Sequence, residues 1–419
     1  MLGKTINRLI YGLSIILGAS LFTIWIAAAT LAADNKFCQQ IKNSITNGSL
    51  LVVDFDSSKI LCSLKANQNF IPASLLKIPA SLAILKGLGD YYQFRTNFWL
   101  DHKNNLIIEG LGDPFLTSEE IILISQELTG LNQISFNRLL LSHSKFGKIT
   151  IPDIVNSTEP YDAINAALVV NFNSIYVTLS KDGKEVISAE KQTPLTEIAK
   201  NHALVHLLPG STKRLNLGNN LSITLDYVGQ LFMKIFSENK INFQHLEHRA
   251  LTGDLVKEKQ LLYVHHNPLA LKEAIKLTLK YSNNMQINQM MLLLGAKKFG
   301  FPASLDKGMK ALKISLKEIN PDLASMLFML EASGISRNNQ ASAKGMMISL
   351  DHFSPYYHLL NKKNDFYLKS GTLTGVYNYA GYLINKNNND KSIKFVLMLN
   401  QPINNRDKLL ALIKQLSKS

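Results

Sequence analysis

Helix-spaced and strand-like hydrophobic runs alternate along the chain, and their order sets the expected layout. Residues 34–46 carry apolar positions at helical spacing. Residues 49–55 and Ile60–Leu64 are apolar and β-rich, with Asp56-Ser57-Ser58 between them, and predict a hairpin. An apolar helix follows over 71–85, entered through Pro72-Ala73-Ser74. From about Thr96 to Asn219 the texture changes. Short β-type runs at 105–109, 138–141, 167–171 and Ser174–Leu179 are separated by Gly, Pro, Asn and Asp. Helical periodicity returns at 225–236 and, after Pro268, at 269–279. Tyr281-Ser282-Asn283-Asn284 then leads into a helix reaching Leu294, whose Met285, Met290 and Met291 suit core packing. Near the end, 365–372, 376–384 and 393–400 read as three sequential antiparallel strands, and 407–416 as a basic amphipathic helix.

The front β-β-helix and the back β-β-β-helix combine into one antiparallel five-stranded sheet with flanking helices and a helical cluster. This predicts an α+β domain in two parts, 34–95 and 220–419, interrupted by an inserted, mainly β domain at 96–219.

Residues 1–33 fall outside that layout. Lys4 and Arg8 precede an apolar run from Leu9 to Ala33, which ends in Ala27–Ala29 and Ala32–Ala33. A basic start, an apolar centre and a small-residue end read as an export signal. The run is also long enough to stay as a membrane anchor. Its Ala-rich end favours cleavage near Ala33, which implies a periplasmic protein, or one held at the inner membrane if uncut. Phe37 before Cys38 does not fit a lipoprotein attachment site. In an exported chain the two cysteines, Cys38 and Cys62, suggest one disulfide, the alternative being two buried thiols.

The 419 residues carry a formal charge of +14. That balance suits an anionic polymer, an anionic membrane face or nucleic acid. The Lys and Arg residues are scattered, with no basic stripe interleaved with aromatics, which argues against nucleic acid. There is no His-Glu-x-x-His, and His265-His266 reads as a loop pair, so neither a metal nor a cofactor is expected. No Gly-rich phosphate loop follows a strand.

The candidate chemistry begins at Ser74. Ser74 and Lys77 are spaced i, i+3, which puts the amine within reach of the hydroxyl on one helix face. Serine needs an adjacent base to act as a nucleophile at neutral pH. The free N–H groups of a helix start can also hold an oxyanion. Ser-x-x-Lys occurs five times, at Ser74, Ser142, Ser188, Ser237 and Ser304, so the pattern alone decides nothing. Only Ser74 opens a long apolar helix behind a hairpin. Lys369-Ser370-Gly371 is the chain's one Lys-Ser/Thr-Gly and sits on an expected strand, where the glycine admits close approach. Ser282-x-Asn284 puts a hydroxyl and an amide on a helix–helix connection. A surface lysine, a helix cap and an edge-strand charge are the plain readings of Lys77, Asn284 and Lys369.

Taken in order, these three motifs resemble the active site of penicillin-recognising serine enzymes. The long separation of Ser74 and Ser282 narrows the likeness to the D-Ala-D-Ala carboxypeptidase/endopeptidase family typified by penicillin-binding protein 4. Gly110-Leu111-Gly112-Asp113-Pro114, Tyr161-Asp162-Ala163 with Asn171-Phe172-Asn173-Ser174, residues 332–339 (ASGISRNN) and residues 369–383 (KSGTLTGVYNYAGYL) are similar to its other conserved segments. The chain departs from that pattern at Asn283 for Asp, Ser370 for Thr, Asn288 for Glu, and Glu331-Ala332 for Asp-Gly. Ser142 stands where some members carry an Asp that holds the distal amine of the stem peptide.

The resemblance implies a β-lactamase/transpeptidase-like fold and peptidoglycan stem peptides and β-lactams as partners. It implies Ser74 as nucleophile, Lys77 as base and Ser282 as proton relay. Asn284 would bind the substrate amide, and Lys369, Ser370, Gly371 and Thr372 the strand side and terminal carboxylate. A homologue that binds wall peptide without turnover and a β-lactamase are the competing readings. Fast antibiotic hydrolysis would mark the second; the large insert disfavours it.

Overall fold

The computed structural model describes residues 36–251, 258–385 and 391–418. The expected export segment lies outside these residues. Among the described residues no helix is long and apolar enough to cross a membrane.

The main sheet has six strands in the order Asn361–Lys363, Phe366–Leu373, Val376–Leu383, Ile393–Leu399, Gly48–Asp54 and Ile60–Leu64. Every pairing is antiparallel. The expected five strands are present, and the sixth is the short run Asn361–Lys363. Its three polar residues carry no alternation to read, and it blunts one edge of the sheet. It pairs only as far as Leu368, so among the described residues Lys369 to Leu373 meet no strand on their outer side.

One face of the sheet packs on the helices Lys36–Asn43 and Arg406–Leu416 through Ile41, Leu50, Phe395, Leu409 and Ile413. Cys38 and Cys62 are joined there as a disulfide, tying the first helix to the strand Ile60–Leu64. The other face meets a larger core, in which Lys77–Leu88 is surrounded by Asn284–Phe299, Leu305–Ile319 and Ala343–Phe353. Met290 and Met291 lie in that core; Met285 packs in a small cluster with Ala163, Ala166 and Val169.

The insert has its own core and is less β-rich than its texture suggested. A five-stranded mixed sheet runs His248–Leu251, Leu139–Ser142, Leu106–Gly110, Gln93–Asp101 and Lys259–Ala270. It packs with the helices Ser118–Gly130 and Leu221–Glu238. A three-stranded sheet of Thr212–Asn216, Ser174–Leu179 and Val186–Ser188 joins the same core. Two expectations change. The run 167–171 forms no ladder-paired strand, and it ends in the turn Asn171–Asn173, whose three residues all have positive φ. The boundary at 219 also moves. Leu225, Val228 and Phe232 lie in the insert's core, and Lys259–Ala270 pairs with Gln93–Asp101, so we place the end of the insert near 270.

Candidate active site

Ser74 lies in the short 3-10 turn Ala73–Leu76, and Lys77 opens the helix behind it. The approach to Ser74 is pinned to the sheet. The buried Asn378 donates from Nδ2 to the carbonyls of Ile71 and Pro72, at 2.9 and 3.0 Å, and accepts from Leu399 N at 2.9 Å. Asn400 accepts from Ile71 N at 2.8 Å. This network holds Ala73 at φ 47°, a conformation that costs an alanine energy. Gly371 lies against the same turn: a Cβ there would come within 2.6 Å of Pro72 O. The Lys369 strand therefore runs directly beside Ser74.

Lys77 is fully buried and makes three contacts. Its Nζ lies 3.0 Å from Ser74 Oγ, 2.7 Å from Asn284 Oδ1 and 2.7 Å from the carbonyl of Ser333. Asn284 Nδ2 donates to Tyr161 O at 3.1 Å, which fixes the amide with Oδ1 toward the lysine. A neutral amine has two N–H groups and one lone pair. The two oxygens that can only accept take both N–H groups, and the lone pair is left facing the Ser74 hydroxyl. Burial drives the Lys77 pKa well below the usual lysine range; Lys369 lowers it further, and Glu331 opposes them.

Lys369 Nζ reaches Ser282 Oγ at 2.9 Å and the Ser370 carbonyl at 2.9 Å. Its pKa is lowered to about 8, first by burial and then by Arg406. Ser282 ends the helix Leu271–Tyr281 in a left-handed conformation, φ 54°. Asn283, where Asp is usual, caps the next helix by accepting from Gln286 N at 2.9 Å. The three motifs thus converge: Lys77 contacts Ser74 and Asn284, and Lys369 contacts Ser282. Thr372 is exposed further along the strand, and its Oγ1 accepts from Arg406 Nη1 at 2.7 Å. Both polar ends of Asn284 are engaged within the protein, so in this state it orients Lys77.

Sequence reasoning missed the roles of four residues, Glu331, Asn288, Asn378 and Arg406. Glu331 is buried beneath the site and accepts from Ser333 N, Gly334 N and Asn339 Nδ2, at 2.6, 2.8 and 2.7 Å. Asn288 donates to it at 3.3 Å and accepts from Ala332 N at 2.9 Å. The departures at 288 and 331 are therefore one matched pair, a signal available only once the two were known to touch. Asn378 gave no local hint of its role. Arg406 did carry one: a cation opening a helix opposes the helix dipole. Ser142 is buried in its strand, and its Oγ has no hydrogen-bond partner among the described residues. Asp113 braces the insert, accepting from Phe115 N and Asn267 Nδ2, at 2.8 and 3.0 Å.

A serine within 3.0 Å of a buried amine and a second serine–lysine pair meet at a sheet edge of a transpeptidase-like fold. The profile of the D-Ala-D-Ala carboxypeptidase 3 (S13) family matches residues 35–355, more than half of the chain. The chain belongs to that family and is a serine-type D-Ala-D-Ala carboxypeptidase, a hydrolase. It is 22% identical to the D-alanyl-D-alanine carboxypeptidase DacB of Haemophilus influenzae, over 93% of this chain and 92% of that protein. The crystal structure of penicillin-binding protein 4 from the same organism superposes with a TM-score of 0.71 at 19% identity, covering 90% of this chain and 98% of that one. Bd3459, a predatory peptidoglycan endopeptidase from Bdellovibrio bacteriovorus, superposes with a TM-score of 0.52 at 14% identity, covering 88% and 91%.

Proposed function

We propose that the protein cleaves D-alanyl-D-alanine stem peptides of peptidoglycan, as carboxypeptidase and endopeptidase, through an acyl-enzyme on Ser74. The observation that carries this reading is the 3.0 Å contact between Lys77 Nζ and Ser74 Oγ, with both remaining directions of the amine occupied. Lys77 takes the hydroxyl proton as Oγ bonds to the carbonyl carbon of the penultimate D-alanine. The oxyanion sits between the backbone N–H groups of Ser74 and Thr372. Collapse breaks the C–N bond, and Ser282 passes a proton to the departing amine. Lys369, Ser370 and Thr372 hold the terminal carboxylate, and water then releases the acyl group. A β-lactam acylates Ser74 by the same attack, in keeping with a homologous penicillin-binding protein 4 structure that contains a β-lactam. The basic, apolar and Ala-ended run at residues 1–33 supports a periplasmic site of action, soluble after cleavage or held at the inner membrane if uncut.

Penicillin treatment followed by mass spectrometry tests the reading. A mass shift confined to the Ser74 peptide, and lost in Ser74→Ala, is expected. An unlabelled Ser74 overturns it. Conversion of cross-linked muropeptide dimers to monomers tests the endopeptidase half.

A further inference from the structure

We propose that Arg406 is a substrate-binding residue that, with Thr372, grips the terminal carboxylate of the peptide; this rests on the acyl-transfer reading above. Arg406 is the first residue of the C-terminal helix Arg406–Leu416. A cation there opposes the positive end of the helix dipole. It also stands close enough to a second cation, Lys369, to lower that lysine's pKa. The neighbouring Asp407 feels the Arg406 charge and the Tyr379 ring lies beneath the guanidinium, but among the described residues neither accepts a hydrogen bond from it, which leaves N–H groups of the cation for an anion.

The geometry supplies the place for that anion. The guanidinium carbon lies 4.6 Å from the centre of the Tyr379 ring. Tyr379 is fixed in turn, because its hydroxyl donates to Asp407 at 2.9 Å. Asp407 accepts from Tyr379 and from Lys363, at 2.6 Å for the lysine. The Lys363 bond first, and the Arg406 charge after it, help hold its carboxyl below the usual range, but among the described residues Asp407 and Arg406 make no direct ion-pair contact. Arg406 Nη1 donates to Thr372 Oγ1 at 2.7 Å, and its Nε–H has no partner among the described residues. A hydroxyl that accepts from a guanidinium has its own proton left to donate. The enclosed Nε–H takes no part, so Thr372 and Arg406 together offer an O–H and the Nη groups of the guanidinium beside the outer edge of the Lys369 strand. Charge-assisted pairing of a planar guanidinium with a carboxylate is the interaction such a group makes best.

The test compares hydrolysis of an N-acylated D-alanyl-D-alanine peptide with that of its C-terminal amide. The unaltered chain should prefer the free carboxylate. Arg406→Gln should shrink the kcat/KM ratio of acid to amide by at least about tenfold, the scale of one charged hydrogen bond. Arg406→Lys should retain part of the preference, and thermal unfolding should show both variants folded. An unchanged ratio in both variants overturns the proposal and leaves the acyl-transfer reading standing. Failure of penicillin to label Ser74 in the unaltered chain overturns that reading, and this proposal with it.

Discussion

Lys77 and Glu331 contact opposite ends of a single peptide group. The carbonyl of Ser333 accepts from Lys77 Nζ at 2.7 Å, and the N–H of Gly334, on the same peptide, donates to Glu331 Oε1 at 2.8 Å. The carboxylate therefore polarises the group that orients the amine. Both residues are fully buried. Burial dominates the loss of the Lys77 proton; Glu331 opposes that loss, and through the shared peptide it also fixes the carbonyl that orients the amine.

Replacing Glu331 by Gln removes the one negative charge that favours the ammonium form of Lys77. The Lys77 pKa then falls further. Acylation needs the neutral amine, which is present above that pKa, so the acidic limb of the pH–rate profile should move to lower pH. The new amide also faces N–H donors it cannot accept from at one end, and stability should drop by about 1–3 kcal/mol. Penicillin acylation rates against pH check the limb; a shift to higher pH contradicts the coupling.

Lys369 gives the opposite limb. It is cationic below its pKa of about 8 and loses its charge as pH rises through that value. With the charge goes its hold on the carboxylate and its support of Ser282. The value of kcat/KM for a D-alanyl-D-alanine peptide should therefore decline above about pH 8, mainly through KM. A profile flat to pH 10 would remove Lys369 from substrate binding.

Ser282→Ala deletes the proposed proton path to the leaving amine and the partner of Lys369. Acylation by peptide should slow by about a hundred- to ten-thousandfold, the usual worth of a positioned proton donor. Stopped-flow acylation measures this directly, and a change below tenfold would assign the proton to another group.

Gly334→Ala tests the floor of the site. The residue has φ 81°, and a Cβ would come 1.9 Å from Ala73 O, next to Ser74. The loop must withdraw, carrying the Ser333 carbonyl from Lys77. Denaturant unfolding should show a loss of at least about 1–3 kcal/mol, with a fall in acylation rate larger than Arg406→Gln produces on the amide substrate.

Removing the disulfide should act on stability alone. Cys38 and Cys62 are 24 residues apart and lie on the far face of the sheet from Ser74. The loop-entropy estimate is about 3 kcal/mol. A Cys38→Ser/Cys62→Ser chain should unfold at lower denaturant and still take up penicillin at Ser74.

How much was legible beforehand follows from the range of each interaction. The hairpin, the Ser74 helix and the three late strands were readable because each is an apolar or β-rich run of element length bounded by turn or polar residues. The strand Lys259–Ala270 was not: with His265, His266, Asn267 and Pro268 inside it, no alternation survives, and its pairing with Gln93–Asp101 decides its state. Asn361–Lys363 was too short and polar to stand out, and the edge it covers defines it as a strand.

The sequence by itself determined the chemical inventory: a serine three residues before a lysine, two further motif sets in order, and the α+β layout that carries them. Which atoms meet was decided only by the tertiary structure. The partners of Lys77 come from 207 and 256 residues away, Asn378 reaches back 307 residues to Ile71, and Arg406 reaches back 34 to Thr372. Local periodicity carries no trace of such pairings. They exist because burial of the shared core brings the segments together, and a polar group enclosed in that process must find a partner.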